Sequence, residues 1–253
     1  MKNIKLFSVV FLFFLAFSCE KKIEIDKKTV FRYNETKNIN SLDPIFAKDL
    51  SSIKVVNQLF NGLVDLNTKL EVIPSIAKSW KISSDGKVYT FILRDDVFFH
   101  PHPDLEERNV KARDFEYSFE RLIDPNNASP GKWVFDKVDN FKAINDTIFE
   151  ITLLQPYNPF LGILTMKYCS VVPKGVIEST NAEFRSSPIG TGPFKFKRWE
   201  ENIKLVLRKN DEYFEKDQKG VQLPYLEAIS ITFLPEKQSE FLQLIKDEID
   251  MIS

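Results

Sequence analysis

The chain has 253 residues, with 35 basic against 36 acidic side chains and a formal net charge of −1. That length admits one large or two modest domains with a sizeable core, and the near-balance of charge gives no reason to propose a nucleic-acid footprint. Twenty-three phenylalanines are a heavy aromatic load, most of it expected in the core, with a few left to line an apolar cleft.

Lys2 and Lys5 form a basic opening, and Leu6 to Phe17 is an apolar run of 12 residues broken by one hydroxyl, Ser8. Spanning a bilayer takes about 20 residues, so the run suits the apolar region of a secretory signal instead. It ends in Leu15-Ala16-Phe17-Ser18-Cys19. A small residue before a cysteine resembles a bacterial lipoprotein signal over residues 1–18, with Cys19 as the lipid-modified N-terminus. The bulky Phe17 departs from the usual small or aliphatic residue, and a simple secretory signal with an incidental cysteine is the other reading. Residues 19–28 are charged and lack large aromatics, as expected of a tether. With Cys19 acylated, Cys169 alone remains, so no intramolecular disulfide is available. Its neighbours Tyr168, Ser170, Val171 and Val172 predict a buried structural thiol.

Thr29 to Tyr33 is a short β-leaning run, and Ser41-Leu42-Asp43-Pro44 closes a turn after a polar stretch. From Leu50, the apolar residues Ile53, Val56, Leu59 and Phe60 recur at helical spacing, with Gly62 as the expected stop. Leu63 to Leu66 reads as a short strand, and Trp80 as a core anchor. Lys81 to Ser83 and Val88 to Leu93 flank Asp85-Gly86, a favoured tight-turn dipeptide, and predict a hairpin. His100-Pro101-His102-Pro103 is an irregular loop of the kind that often exposes its histidines.

Asn109 to Ile123 is an amphipathic helix with Ala112, Phe115, Phe119 and Leu122 on one face, stopped by Asp124-Pro125. Phe141 to Ile144 and Thr147 to Leu153 pair around Asn145-Asp146, and Leu161 to Met166 suggests a short helix. Gly190-Thr191-Gly192-Pro193 reads as a constrained turn feeding a second hairpin, Phe194 to Lys197 with Lys204 to Lys209. Ile229 to Phe233 is a strand, and Glu236 to Lys246 a helix bearing Phe241, Leu244 and Ile245. Ile249 to Ser253 has the look of another buried strand. Strands and helices are mixed without a regular βαβ alternation, so the expected class is mixed α/β.

Taken in order, these segments resemble the extracellular solute-binding proteins of bacterial ABC importers, in the oligopeptide and dipeptide class. The carrying pieces are Ser41-Leu42-Asp43-Pro44, Gln58-Leu59-Phe60-Asn61-Gly62-Leu63, Pro74 to Trp80, Tyr89 to Arg94 and Val97 to His100. Val110 to Phe115, Tyr117-Ser118-Phe119, Asp124-Pro125 and Ala128-Ser129-Pro130 follow. Gly190 to Phe194, Asn210, Tyr213-Phe214 and Glu248-Ile249-Asp250 complete the set. The resemblance implies two lobes closing over a ligand, with this chain matching the first lobe and lacking the C-terminal one. On that pattern residues 29–58 and 172–253 form a base subdomain and 59–171 an inserted one. The resemblance further implies a monomer that captures a peptide and delivers it to a membrane permease, without cofactor or chemistry, and that one lobe alone binds weakly or not at all.

By the same resemblance, the loop at Lys48, Asp49, Leu50 and Ser51 lies beside the cleft. Relatives include some with an acidic residue where Lys48 falls, which leaves the charge preference open. Relatives place a cleft aromatic after the Ala-Ser-Pro segment; here Gly131 intervenes, and Trp133 or Phe135 is the nearest candidate, with ordinary core the alternative for Trp133. Gly190, Thr191, Gly192 and Pro193 are expected to be a framing turn rather than a ligand site. His100 and His102 form an i, i+2 pair with no cysteine nearby to complete a zinc set, so no metal is expected. Glu106-Glu107 beside Arg108 reads as a solvated loop face. No serine sits in a Gly-x-Ser-x-Gly elbow. The same fold carrying a nickel complex or a sugar, a lipoprotein hydrolase using a histidine, and an inactive envelope remnant stand as rival readings.

Overall fold

The computed structural model describes residues 29–105 and 108–252. The expected signal, the tether with Cys19, and the Glu106-Glu107 pair lie outside the described residues. In chain order the first half has β1 (Val30–Asn34), α1 (Leu50–Leu59), β2 (Val64–Leu66), β3 (Val72–Pro74), β4 (Ala77–Ile82) and β5 (Val88–Leu93). Then come α2 (Ala112–Ile123), β6 (Val138–Ala143), β7 (Ile148–Leu153) and the single turn α3 (Phe160–Ile163). The last third holds α4 (Lys174–Thr180), β8 (Phe194–Glu200), β9 (Lys204–Lys209), β10 (Ala228–Thr232) and α5 (Lys237–Ile245). The class is mixed α/β.

One four-stranded sheet has the order β4-β5-β7-β6, antiparallel throughout. Its hairpin β4–β5 turns at Gly86, whose φ of +70° is the left-handed conformation that favours glycine. Burial alternates along β5 and β7, so Tyr89, Phe91 and Leu93 share one face with Phe149, Ile151 and Leu153. Phe91 lies directly opposite Phe149. Onto this face α2 lays Ala112, Phe115, Phe119 and Leu122, all fully buried. Asp114 accepts from the Lys111 backbone N–H at 2.8 Å and fixes where α2 begins. Phe119 is the hub of the aromatic core, with ring centroids of Phe135, Phe149 and Phe141 at 4.7, 5.5 and 5.7 Å.

The other sheet has the order β1-β10-β9-β8, with β1 parallel to β10 and the remaining pairs antiparallel. Leu205, Leu207 and Ile231 on its inner face pack with Val55, Val56 and Leu59 of α1 in a second cluster of buried side chains. Beyond β1, Met251 makes a single parallel bridge to Tyr33 and Ile249 is buried, so residues 249–251 lie along that edge of the sheet. Arg32 secures them: its guanidinium takes both oxygens of Asp250, at 3.1 and 2.7 Å, and the Asp247 carbonyl. That hydrogen bonding holds the Asp250 carboxyl below its ordinary range.

Three local expectations differ from the structure. Helix α1 ends at Leu59 with Phe60 extended as its cap, so Gly62 is not the stop; a Cβ there would sit 3.4 Å from the Cys169 carbonyl. Trp80 is half-buried at the margin of the first cluster rather than an anchor within it. Helix α5 turns Glu240 inward and leaves Phe241 and Ile245 exposed, because its neighbours cover little of it.

Candidate functional site

The loop expected to border a cleft is built from two stacked caps. Asp43 accepts from the Ile45 backbone N–H at 3.3 Å and opens a short 3-10 turn, Pro44–Phe46. The Arg121 guanidinium, reaching down from α2, grips both Asp43 oxygens in a buried ion pair. Lys48 follows, exposed. Asp49 then caps α1, accepting from the Ser52 backbone and hydroxyl and from the Asn40 amide, each at 2.9 Å. Partial burial opposes ionisation of Asp49, but those hydrogen bonds outweigh it and keep the carboxyl below the usual carboxylate range.

Ser51 and Leu50 diverge. Ser51 points inward, its hydroxyl donating to Glu35 at 2.9 Å, while Glu35 also pairs with Lys54 at 2.7 Å. Leu50 is 68% exposed, an apolar side chain presented to solvent in the first turn of a helix. Beside Lys48 lies a cavity of about 550 Å³ lined by Asn40, Ser41, Phe46, Lys48, Ala128, Pro130 and Arg185. The segment after Ala128 is tied to this loop: Ser129 Oγ donates to the Ile45 carbonyl at 2.6 Å and accepts from the Gly131 N–H at 3.1 Å.

Trp133 rides on the following turn, Lys132–Phe135, and is 49% exposed, so it is not ordinary core; Val134 and Phe135 are the buried members of that turn. Tyr168 is partly exposed, with its ring against Gly131. Cys169 itself is buried, and burial drives its thiol above the ordinary range. Sequence reasoning thus reached Lys48 and the Ala128–Pro130 segment but not Phe46, Tyr168 or Arg185.

Gly190, Thr191, Gly192 and Pro193 lie elsewhere, at a buried polar junction. Neither glycine has positive φ. They are needed for close approach: a Cβ on Gly190 would meet the Leu59 carbonyl oxygen at 2.0 Å, and one on Gly192 the Gln58 carbonyl oxygen at 2.5 Å. Thr191 Oγ1 donates to Asn61 Oδ1 at 3.0 Å, and Asn61 Nδ2 donates to the Tyr213 hydroxyl at 3.2 Å. The Pro193 carbonyl accepts from the Asn210 N–H at 2.9 Å. His100 is not exposed but sits inside this junction. Its backbone N–H donates to the Gly190 carbonyl at 2.7 Å, and its Nδ1 accepts from the Gly190 N–H at 3.3 Å. That leaves Nε2 as the protonated nitrogen, donating to the Gly192 carbonyl at 3.0 Å. Burial lowers the imidazole pKa to about 4.

Comparison with known proteins gives a consistent picture. Residues 71–253 match the family described as bacterial extracellular solute-binding proteins, family 5. The chain is 31% identical over 252 residues to the oligopeptide-binding protein OppA of Bacillus subtilis, covering 91% of this chain and 44% of that one. Among solved structures, the Helicobacter pylori periplasmic binding protein DppA in complex with the peptide STSA superposes with a TM-score of 0.80 at 30% identity, over 88% of this chain and 46% of that one. NikZ of Campylobacter jejuni in complex with Ni(L-His) superposes with a TM-score of 0.76 at 27% identity, over 90% and 43%. The chain therefore spans less than half the length of these relatives. It belongs to family 5 of the bacterial extracellular solute-binding proteins.

Proposed function

We propose that this chain is part of the ligand-capturing component of a bacterial ABC importer, taking up oligopeptides or dipeptides outside the cytoplasmic membrane and handing them to the permease. The action is non-covalent capture, with no reaction catalysed. The observation that carries this reading is the cavity of about 550 Å³ lined by Lys48, Phe46, Ala128, Pro130 and Arg185, with Leu50 and Trp133 exposed on the two segments that supply its lining. An apolar, half-open face with a few polar groups fits a peptide of variable sequence, whose side chains need room more than shape. The printed ligand of the DppA structure and the name of the Bacillus subtilis relative support peptide as the cargo. The Ni(L-His) complex of NikZ supports a metal chelate as the second reading.

The working form in this proposal is a monomer held in the cell envelope by lipid on Cys19, after removal of residues 1–18, with 19–28 as tether. Residues 29–58 and 172–253 serve as the base of one jaw, and 59–171 as its insertion. The greater length of the relatives supports a second jaw outside these 253 residues. Closure of two jaws on the ligand makes affinity a joint property of both, so this half binds weakly.

A titration of the ¹⁵N-labelled chain with trialanine and with Ni(L-His) tests the reading. Expected are millimolar-range shifts of the Lys48–Ser51 amides and the Trp133 indole with the peptide. Shifts confined to other surfaces, or produced by the nickel complex alone, would overturn it.

A further inference from the structure

Gly131 has ordinary right-handed backbone, φ −88° and ψ −2°, so its conformation does not call for glycine. What does is Tyr168. A Cβ at position 131 would lie 2.3 Å from Tyr168 Cγ and 2.5 and 2.8 Å from its Cδ atoms, closer than any real Cβ contact. The ring therefore occupies the volume that any other side chain at 131 would take.

The ring is held from below and free above. Its turn, Lys167–Cys169, is fixed by the Cys169 N–H donating to the Met166 carbonyl at 2.9 Å, by the buried Cys169 side chain, and by Lys167 Nζ donating to Asp65 at 3.3 Å. Gly131 is fixed in turn through Ser129 to Ile45. The Tyr168 side chain packs against the margin of the first cluster yet stays partly exposed, and its hydroxyl has no hydrogen-bond partner among the described residues. A tyrosine kept only for packing would more often bury its ring and satisfy its hydroxyl. The turn that carries the ring packs against Pro44–Phe46 and against α1, whose first residues follow the exposed Lys48; burial, and after it the charge of Asp49, raise the phenol pKa.

We infer that Tyr168 is the ring against which a side chain of the bound peptide stacks on this face, and that Gly131 is the residue that makes room for it. The inference rests on the peptide reading above. It also assigns Trp133, two positions past Gly131, to the rim of the face rather than its centre.

The test is a pair of NMR titrations of the full chain, with Ala-Phe-Ala and with trialanine, on the parent protein and on Tyr168→Ala, Tyr168→Phe and Gly131→Ala. An aromatic contact contributes about 0.5–1.5 kcal/mol, or roughly 2- to 12-fold in Kd. The parent is expected to favour Ala-Phe-Ala by about that factor. Tyr168→Ala and Gly131→Ala, which remove and displace the ring, should bring the ratio of the two Kd values measured on each variant to about 1, and Tyr168→Phe should keep the parent ratio. Should Tyr168→Ala lose its dispersed spectrum, Tyr168→Leu serves in its place. A preference unchanged in Tyr168→Ala or Tyr168→Leu overturns the inference alone, and a parent that binds neither peptide overturns the peptide reading with it.

Discussion

Replacing His100 by phenylalanine separates two contributions of one buried ring. Phenylalanine keeps the ring in place but removes both side-chain hydrogen bonds. The Gly190 N–H, now at 3.3 Å from Nδ1, is orphaned in a buried site, while the Gly192 carbonyl keeps a second donor, the Asn210 amide at 3.0 Å. One orphaned donor costs about 1–3 kcal/mol, and a lost bond to a carbonyl that retains another partner about 1 kcal/mol, so the variant should be less stable by roughly 2–4 kcal/mol at pH 7.5. The second contribution depends on pH. Folding lowers the His100 pKa from 6.5 to about 4, chiefly through burial. Between those values the unfolded chain binds the extra proton, so the wild type loses stability as pH falls through that window and regains it as pH rises. Over the whole window the loss approaches about 3 kcal/mol at 1.36 kcal/mol per pH unit. The variant has no such proton to bind. The gap between the two proteins should therefore close from about 3 kcal/mol at pH 7.5 toward zero near pH 4.5. Urea denaturation at a series of pH values, followed by tryptophan fluorescence, measures it. A gap that stays constant across the series would refute the buried, neutral histidine.

Two further outcomes are expected. Gly192→Ala drives a Cβ against the Gln58 carbonyl oxygen and the Leu59 carbonyl carbon, each at 2.5 Å, where backbone must move; a loss of about 3 kcal/mol in urea denaturation is expected, against near-neutrality for Gly162→Ala, which meets nothing within 4 Å. Cys169 is buried with its thiol pushed toward the protonated form, so a thiol reagent should label it at the rate of unfolding in native buffer and at once in denaturant. Rapid native labelling would contradict that burial.

What could be read from the sequence was what neighbours along the chain decide. The alternation of Val88 to Leu93 and Ile148 to Leu153 was visible because each strand shows one face to water, and α2 because its four core residues recur at helical spacing. Distant partners decided the rest. His100 is buried by a segment 90 positions away, and Ser51 is turned inward by Glu35. The apolar residues of α5 showed a helical face but not whether anything covers it, and the structure leaves Phe241 and Ile245 open. Gly131 illustrates the same limit: its reason is a ring on another turn, which no local pattern encodes. At the candidate face, Lys48, Asp49, Leu50 and Ser51 were reached through the family resemblance alone, whereas the cap at Asp49 and the ring of Tyr168 required the fold.

The placement of β1 sets the order in which this molecule can assemble. β1 is the earliest described strand, yet its neighbours in the sheet are β10 and the residues around Met251, close to 200 and 220 positions later. Both pairings are parallel, and neither is prepaid by a short hairpin loop. Closing loops of that length must precede any reward from the pairing, which raises relative contact order and slows folding. Synthesis from the N-terminus therefore leaves Val30 to Asn34 unpaired until Ala228 to Met251 have emerged, whereas the β4–β5 hairpin can form as soon as it is made. The antiparallel sheet and α2 are expected to act as the nucleus, with the Arg32–Asp250 clamp as a late latch. Chains interrupted before Ala228 would hold a folded aromatic core beside an N-terminal strand with bare edges, the form in which this protein is most exposed to aggregation.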